Sequence, residues 1–373
     1  MYLEKVQVKN IRNLRDVFLQ LDKRTNIFVG DNGQGKTNLL EALYYLGTLS
    51  SPRTNISREI VHWGKESAYI QVKLIKEDRD LKLSLKLEGS AKMARINDTP
   101  LEKITELVGK LNVVLFSPED LQLVKGSPAG RRKFLDTEVS QVSSLYRHLL
   151  HKYKRIVKQR NNLLKELKRE QADVDENMLT VWNEQLVKTG SEIIRKRLEV
   201  IDKLKILARL AQRRITGGNE NLSLTYKQSF SPEFSSEEEI EVIFEENLAN
   251  NRDKEIKRGY TLCGPHRDDL IFKINDINIR KYGSQGQQRT VALALKLAEL
   301  EFMKSEVGEY PVLLLDDVFS ELDFSRRSAL MEVIVDNIQT FITTTGEVID
   351  DLIEDRGGSI FSVEEGNISR KVD

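Results

Sequence analysis

The sequence feature that most constrains the fold is a phosphate-loop motif near the start of the chain. It reads Gly30-Asp31-Asn32-Gly33-Gln34-Gly35-Lys36-Thr37, the pattern of Gly, four residues, then Gly-Lys-Thr. A continuous apolar run, residues 27–29, precedes the motif, and apolar positions at helical spacing follow it over residues 39–49. This strand-loop-helix order aims backbone N–H groups and a helix N-terminus at phosphate oxygens. We expect Lys36 to span the β- and γ-phosphates of ATP and Thr37 to ligate Mg²⁺.

A second motif completes the same site from the far end of the chain. Residues 312–315 form an apolar strand pattern that ends in Asp316 and Asp317. Ligands of open α/β sheets bind at the carboxyl ends of such strands. Asp316 is predicted to hold Mg²⁺ and Asp317 to orient or activate the attacking water. Since Lys36 and Asp316 are 280 positions apart, nearly the whole middle of the chain is inserted into one nucleotide site.

Composition narrows the class of protein. The 373 residues carry 58 Lys and Arg against 58 Asp and Glu, so the net charge of +0 gives no overall attraction to polyanions, and any such site must be local. The single cysteine, Cys263, forms no internal disulfide and no thiolate metal cluster. Without a signal-peptide pattern or an apolar run of about 20 residues, we expect a soluble, cytoplasmic protein with no membrane partner.

The inserted middle is predicted to be a helical arm. Apolar residues at three-or-four spacing run over residues 145–167 and again over 179–214, with a polar tip at 173–177. The acidic segment 232–246 is interpreted as a solvated surface. We therefore expect an α/β protein in three parts: residues 1–116 as one half of an ATPase head, 117–255 as the helical arm and connecting region, and 256–373 as the other half.

A basic cluster on the arm is the candidate site for binding a polyanion such as DNA. Residues 147–169 hold nine Lys and Arg against one acidic residue, Glu166. Such charges would bind phosphates without sequence preference and with strong salt dependence. A solvated helix face is the alternative. The candidate DNA-binding residues are Arg131, Arg132, Lys133, Lys152, Lys154, Arg155, Lys158 and Arg160.

A third motif and several longer blocks carry a family resemblance. The run Ser284-Gln285-Gly286-Gln287-Gln288-Arg289 looks like the signature of ATPase heads of the ABC and SMC class. In order along the chain, the sequence resembles the RecF family of bacterial recombination-repair proteins in five blocks: Gly33-Gln34-Gly35-Lys36-Thr37-Asn38-Leu39-Leu40-Glu41-Ala42, Phe116-Ser117-Pro118-Glu119-Asp120-Leu121, Gly264-Pro265-His266-Arg267-Asp268-Asp269, Tyr282-Gly283-Ser284-Gln285-Gly286-Gln287-Gln288-Arg289 and Asp316-Asp317-Val318-Phe319-Ser320-Glu321-Leu322-Asp323.

This resemblance implies a fold and an activity. The fold would be an ABC/SMC-like P-loop ATPase head with an inserted helical arm. The protein would be an ATP-dependent homodimer on gapped or junction DNA, with slow DNA-linked ATP hydrolysis. It would help RecR and RecO load RecA, with roles in recombinational repair, replication restart and SOS induction.

The resemblance also implies further site residues. The signature would cap the γ-phosphate of a nucleotide held by the partner subunit, through Ser284, Gly286 and Gln287. The nucleotide would also be contacted by Arg12, Asn13, Asn38 and Asp323, while Thr345 would stand where related ATPases place a histidine. Because Asp317 stands where glutamate is usual, we expect slow turnover.

Two other functions stay open from the sequence. An SMC-type chromosome-structuring ATPase is disfavoured because the arm is short, and the nucleotide-binding subunit of a transporter is disfavoured by Gln285, Asp317 and the threonines at 343–345. A gel shift with and without ATP separates the transporter subunit from the DNA-repair protein. The block 264–269 has no mechanism that the sequence reveals; a polar turn and a nucleotide or dimer role are both compatible with it.

Overall fold

The computed structural model describes residues 1–77, 79–169, 177–230, 239–334, 338–346 and 358–371. The chain forms two compact units. The first comprises Met1–Leu121, Leu210–Asn219 and Arg289–Asp373, and the second comprises Gln122–Arg209 and Glu220–Gln288. Within the described ranges, no helix is both long enough and apolar enough to cross a bilayer.

The strands, in chain order, are β1 (Tyr2–Ile11), β2 (Leu14–Gln20), β3 (Thr25–Val29), β4 (Ser67–Lys76), β5 (Arg79–Glu88), β6 (Ala91–Ile96), β7 (Thr99–Pro100), β8 (Val113–Phe116), β9 (Leu222–Lys227), β10 (Asp269–Ile274), β11 (Ile277–Asn278), β12 (Val312–Asp316), β13 (Thr340–Thr344), β14 (Ser359–Glu364) and β15 (Asn367–Arg370).

The helices are α1 (Lys36–Thr48), α2 (Leu121–Lys125), α3 (Pro128–Val142), α4 (Ser144–Lys168), α5 (Asn177–Ile215), α6 (Glu239–Arg258), α7 (Ile279–Tyr282), α8 (Gln285–Val307), α9 (Val318–Glu321) and α10 (Phe324–Val333).

Two six-stranded sheets build the first unit. One is antiparallel, in the order β2-β1-β4-β5-β6-β7. Its β4 alternates buried and half-buried positions, as expected for a strand with one face on the core. Strands β4 and β5 pair as an antiparallel hairpin, for example Val72 with Leu83.

The other sheet positions the candidate site. Its order is β15-β14-β3-β13-β12-β8, and every pairing is parallel except that of the edge strand β15. The central strands β3, β12 and β13 and the edge strand β8 are buried along their whole length, as expected for parallel strands covered on both faces. The carboxyl ends of β3, β12 and β13 therefore meet at one edge, where ligands of such sheets bind.

In the second unit, α4 and α5 run antiparallel, as predicted for the arm. Arg160 of α4 donates to Asn183 of α5 at 2.8 Å, and Arg197 of α5 donates back to the Tyr146 hydroxyl of α4 at 3.0 Å. The predicted tip at 173–177 lies outside the described residues apart from its last residue.

Helix α6 corrects the interpretation of residues 232–246 as a solvated acidic surface. From residue 239 onward this segment is helical, and its Ile240, Phe244 and Leu248 are buried. The part before residue 239 lies outside the described residues. These apolar side chains recur at i, i+4 and i+8 and so form one face of a helix. The high glutamate content of the segment obscured that spacing. Helix α6 thus packs against the arm as a third helix.

The predicted boundary between residues 255 and 256 is misplaced in this division. Residues 256–288 lie in the second unit, because β10 pairs with β9 and β11 in a three-stranded sheet there. Strands β10 and β11 thus belong to the small sheet of the unit that contains the arm.

Candidate nucleotide site

The phosphate loop joins β3 to α1 in the first unit. Gly33 and Gly35 have φ of 81° and 120°, values that favour glycine over any residue with a Cβ. At Gly30, an added Cβ would collide with the Val363 carbonyl oxygen of β14, so the backbone passes close to its neighbour. These glycines give the loop a path that larger side chains would block.

Contacts from other segments hold this loop in place. Asn13 Nδ2 donates to the Gln34 carbonyl at 3.0 Å, and Gly366 N donates to the same oxygen at 2.9 Å. Glu365 N donates to Gln34 Oε1 at 2.6 Å, while Asn38 Nδ2 donates to Asn13 Oδ1 at 2.8 Å. Asn13 and Asn38, predicted as nucleotide contacts, thus also fix the loop. No local sequence pattern indicated the β14–β15 turn that supports this loop.

Lys36 lies inside the curve of the loop. Its Nζ donates to the Asp31 carbonyl at 3.0 Å and to the Gly30 carbonyl. Burial lowers the pKa of Lys36, although the charges of Asp317, Asp316 and Asp31 oppose that shift. The ammonium therefore stands among acidic groups at the position where a phosphate group would add negative charge.

Thr37, Asp316 and Thr343 form one hydrogen-bonded cluster. Asp316 Oδ1 accepts from Thr37 Oγ1 at 2.7 Å and from Thr343 Oγ1 at 2.9 Å. Burial raises the pKa of Asp316, and the hydrogen bonds from the two threonines oppose that shift. The pairing of β12 with β13 places Asp316 opposite Thr343. The contact between Thr37 and Asp316 brings the two sequence motifs together.

This cluster fits a magnesium ion. A hydroxyl and a carboxylate are hard oxygen donors, which Mg²⁺ prefers, and Mg²⁺ takes most of its remaining ligands from water and substrate phosphates. In the part of the chain that the structure describes, no group of three or more His, Cys, Asp or Glu could hold a metal by itself. Thr37 and Asp316 are therefore the residues that would hold it.

Asp317 and Thr345 lie at neighbouring strand ends. Asp317 has a left-handed backbone with φ of 51°, and its N–H donates to Thr343 Oγ1 at 2.9 Å. This turn lets the chain leave β12 and enter α9 with the Asp317 carboxylate beside the site. Thr345 is exposed one residue after β13 ends. Thr343, which binds both Asp316 and Asp317, organises this edge more directly than Thr345 does.

Arg12, predicted as a nucleotide contact, pairs with Glu41 of α1. Its guanidinium donates to both carboxylate oxygens of Glu41, at 3.0 and 2.9 Å, and to the Glu59 carbonyl at 2.6 Å. Burial alone would raise the pKa of Glu41, but hydrogen bonds from Arg12 and Ser51 outweigh it, and the pKa is lowered. Arg53, which sequence reasoning missed, joins this group and donates to Asn38 Oδ1 at 2.8 Å. Arg12 thus anchors α1 through a buried ion pair.

The signature residues lie in the second unit, at the N-terminus of α8. Gln287 N donates to Ser284 Oγ at 3.2 Å, and Ser284 N donates to Gln287 Oε1 at 3.1 Å, a reciprocal capping pair. Ser284 is exposed and Gly286 is half-buried. In the first unit, Asp323 is exposed and caps α10 by accepting from Arg326 N at 3.0 Å. Ser284 and Asp323 thus keep surface that a second molecule can reach.

Two of the predicted DNA-binding residues are buried instead. Arg131 is 1% exposed and forms a two-point ion pair with Asp269 at 2.7 and 3.0 Å. Arg160 is also 1% exposed and is bonded to Glu255, which is 0% exposed. Helical spacing places Arg160 on the same face as the apolar residues of α4, and a carboxylate pairs with each of the two arginines. Their assignment to DNA was wrong.

The other DNA-binding candidates keep accessible surface. Arg132 is half-buried, and its Nη1 donates to the Asp268 carbonyl at 2.7 Å. The rest are exposed: Lys133, Lys152, Lys154, Arg155 and Lys158.

Comparison with known proteins finds relatives that match nearly the whole chain. The family model described as the RecF/RecN/SMC N terminal domain matches residues 2–367. The DNA replication and repair protein RecF of Halothermothrix orenii is 56% identical over 372 residues, 99% of each chain. RecF of Alkaliphilus oremlandii is 46% identical over 374 residues, covering 99% of this chain and 100% of the relative.

Solved structures show the same fold. The recombination mediator protein RecF with ATP, solved in the context of the RecFOR pathway, is 34% identical with a TM-score of 0.91, covering 100% of this chain and 98% of that one. The Smc head domain of Pyrococcus furiosus, at 16% identity and a TM-score of 0.56, shares the fold alone. The resemblance seen in the sequence is therefore confirmed, and the chain belongs to the RecF family with an ABC/SMC-like ATPase head.

Proposed function

We propose that this chain is an ATP-driven DNA-binding switch of DNA repair. It binds ATP with Mg²⁺, dimerises on the nucleotide, holds DNA in that state and releases it after hydrolysis. The observation that carries this proposal is the contact of Thr37 and Thr343 with Asp316, beside Lys36. It brings both halves of a split nucleotide site together in a member of the RecF family.

Different residues of this site bind the phosphates, hold the metal ion and align the attacking water. Backbone N–H groups of the loop and Lys36 bind phosphate oxygens, and Thr37 with Asp316 would hold Mg²⁺. When bound, the ion neutralises charge that develops on the transferred phosphoryl group. Asp317 accepts a hydrogen bond from the attacking water and aligns it. Because aspartate is one methylene shorter than the glutamate usual in the class, we expect slow turnover that suits a switch.

Dimerisation would complete the site. A hydroxyl and backbone N–H groups at the N-terminus of α8 form an anion site, which a nucleotide held by a second subunit can use. The chain has one phosphate loop and one such signature. Two chains related by a two-fold axis would therefore bind two nucleotides, each between the phosphate loop of one chain and the signature of the other. Ser284, Gly286, Gln287 and Asp323 supply the contacts to the partner's nucleotide.

For DNA, the support is charge and family membership. Lys152, Arg155 and Lys158 are exposed on α4 and suit sequence-independent binding to phosphates. The relatives are named for DNA replication and repair, and a solved relative is a recombination mediator of the RecFOR pathway. We propose gapped or junction DNA as the substrate and RecR with RecO as partners in loading RecA, in the cytoplasm. SOS induction and replication restart would follow from that loading.

A gel shift on gapped DNA tests this function. Wild-type protein is expected to shift the DNA with ATP and not with ADP, while Lys36→Met abolishes the shift. Replacing Lys152, Arg155 and Lys158 together by Gln should lower the slope of log affinity against log salt by about three. The control replaces three exposed lysines of α5, Lys188, Lys203 and Lys205, by Gln. Equal losses in both variants, binding that ignores ATP, or absence of any DNA binding would refute the proposal.

A further inference from the structure

Helices α4 and α6 end beside each other in the second unit, and a cavity of about 460 Å³ lies at their ends. Arg160 of α4 donates to Glu255 Oε2 of α6 at 2.6 Å, and Thr261 N donates to Asn161 Oδ1 of α4 at 2.7 Å. These bonds fix the two helix ends to each other. The volume falls within the roughly 300–1,000 Å³ of ligand sites, so the cavity has room for a nucleotide-sized group.

Four exposed cations line this cavity: Lys165, Lys168, Arg169 and Arg258. None of them forms an ion pair with a described residue, and no acidic side chain is among the described residues of the lining. Cations commonly stand at helix C-termini, but each terminus carries only about −0.5 elementary charge. Two helix ends therefore offset about one of the four positive charges, and the rest can attract an anion that carries several charges.

The end of α6 fixes the stems of two of these cations. Gly259 has φ of 78° and follows the last residue of α6, and its N–H donates to the Glu255 carbonyl at 2.7 Å. A Cβ at this position would lie 3.4 Å from Lys165 Cγ and 3.5 Å from Lys168 Cδ. The apolar stems of both lysines thus pass close to the glycine, while their ammonium groups keep access to solvent.

Two neutral side chains complete the lining. The half-buried Asn161 accepts at Oδ1 from Thr261 N and Oγ1, at 2.7 and 2.8 Å, so its Nδ2 is oriented as a donor, and it donates to no described residue. Tyr260 is 37% exposed, and the guanidinium of Arg267 lies over its ring, 5.0 Å from the centroid. Two hydrogen bonds to the Thr261 carbonyl, at 3.1 and 2.9 Å, hold Arg267 there. An exposed ring among unpaired cations suits the stacking of a nucleic-acid base.

The positive charge of the lining continues along α4. Lys154, Lys158 and Lys165 are exposed and recur at spacings of four and seven residues, so they lie on one face of the helix. At a rise of 1.5 Å per residue, Lys154 and Lys165 are roughly 16 Å apart along the helix axis. A single nucleotide does not extend over this distance, whereas a strand places successive phosphates along it. The stripe therefore favours a nucleic-acid strand over a free nucleotide.

We propose that the cavity binds a single-stranded segment of nucleic acid, with phosphates at the four cations and one base stacked on Tyr260. This inference rests on the proposed function, because it assigns a place to the single-stranded part of gapped DNA. In a duplex the bases stack on one another, so a duplex offers no free base to the ring. A free nucleotide could enter the cavity but would leave the stripe of α4 unused.

Photocrosslinking of the full chain without ATP tests the site. The probe is a short oligothymidine that carries one iodouracil, which on irradiation joins the aromatic side chain it stacks on; mass spectrometry then identifies the residue. Tyr260 should be the main crosslinked tyrosine, ahead of Tyr282, although Tyr282 is 74% exposed. The same probe annealed to its complement, and iododeoxyuridine monophosphate at the same concentration, should each crosslink Tyr260 at about a tenth of that level or less.

Two sets of variants separate the charges from the ring. Replacing Lys165 and Lys168 by Gln should lower the slope of log affinity for the single strand against log salt by about 1.4, since each phosphate contact contributes about 0.7. The matched control replaces Lys188 and Lys205 of α5 by Gln and should leave the slope unchanged. Tyr260→Leu should weaken single-strand binding about tenfold, whereas Tyr260→Phe, which keeps the ring, should stay within about twofold of wild type.

Crosslinking at Tyr260 by the single strand alone, with the expected change of slope, supports the proposal. Equal crosslinking by the duplex or by the free nucleotide overturns it, as does crosslinking mainly at Tyr282 or at no tyrosine, or an equal change of slope in the control. An ATP-dependent shift of gapped DNA without crosslinking at Tyr260 would remove this inference and leave the proposed function standing. Crosslinking at Tyr260 in a chain whose DNA binding ignores ATP would support this inference and refute the switch.

Discussion

The positive charge of Arg160 suggests a contact with DNA, whereas its burial suggests a role in the stability of the fold. As a basic residue on α4 it looks like a DNA contact, yet it is 1% exposed. Its guanidinium donates to Asn183 Oδ1, Thr261 Oγ1 and Glu255 Oε2, at 2.8, 2.9 and 2.6 Å. Glu255 is 0% exposed and also accepts from Leu262 N at 2.6 Å. Arg160→Ala therefore leaves a buried carboxylate without its countercharge.

The expected loss of stability is large. Removing one partner of a buried ion pair costs about 3–5 kcal/mol, because the remaining charge stays desolvated. For a unit of this size, each kcal/mol shifts the melting midpoint by roughly 2–4 °C, so the midpoint should fall by about 6–20 °C. Replacing both partners, as Arg160→Met with Glu255→Leu, should recover much of that loss because no unpaired charge remains.

Intrinsic fluorescence during thermal unfolding measures this change. Trp182 packs at the cluster of Leu163, Leu164 and Leu179 in the same unit, whereas Trp63 is 91% exposed. The control is Lys158→Ala on the exposed face of α4, which should leave the midpoint within about 2 °C. The reasoning is refuted if Arg160→Ala melts like wild type and instead weakens DNA binding as much as Lys158→Ala does.

Three further predictions concern the first unit. Asp317→Asn should keep ATP binding and slow hydrolysis about 10²–10⁴-fold, checked by nucleotide titration and phosphate release; unchanged turnover would remove Asp317 from the chemistry. Gly30→Ala should weaken ATP binding about tenfold or more, since its Cβ meets the Val363 carbonyl, whereas Gly130→Ala, with open space, should not. Burial raises the pKa of Asp120 to about 6, so its ionisation opposes folding. Asp120→Asn should therefore stabilise the chain above pH 6, with the gain gone below about pH 4; a pH-independent effect in thermal unfolding would contradict this.

Strong local patterns made much of the fold predictable. Strands β3 and β12 are short apolar runs followed by Gly30 and by paired aspartates, and α1 has clear helical spacing. Helix α6 was missed because its apolar residues stand among glutamates. Strands β14 and β15 were missed because they carry polar residues and because their positions depend on pairing: β14 pairs with the distant β3, and β15 pairs with β14.

The candidate site was predictable from local sequence patterns, whereas its contacts with distant segments of the chain were not. Lys36, Thr37 and Asp316 belong to motifs whose residue types follow from phosphate and metal chemistry. The contacts that hold those motifs come from distant segments, such as Asn13 on the loop carbonyls and Glu41 on Arg12. Charge alone also could not separate the buried Arg131 and Arg160 from the exposed lysines, since burial depends on partners far along the chain.

The central claim is that two copies of the chain clasp ATP between a phosphate loop and a partner's signature. Molar mass in solution, measured by light scattering with ATP, ADP and no nucleotide, tests it most directly. The mass should double with ATP alone, and Ser284→Arg should bind ATP yet stay at the mass of one chain. A mass that is the same in all three conditions, or a Ser284→Arg variant that still doubles with ATP, would contradict the claim.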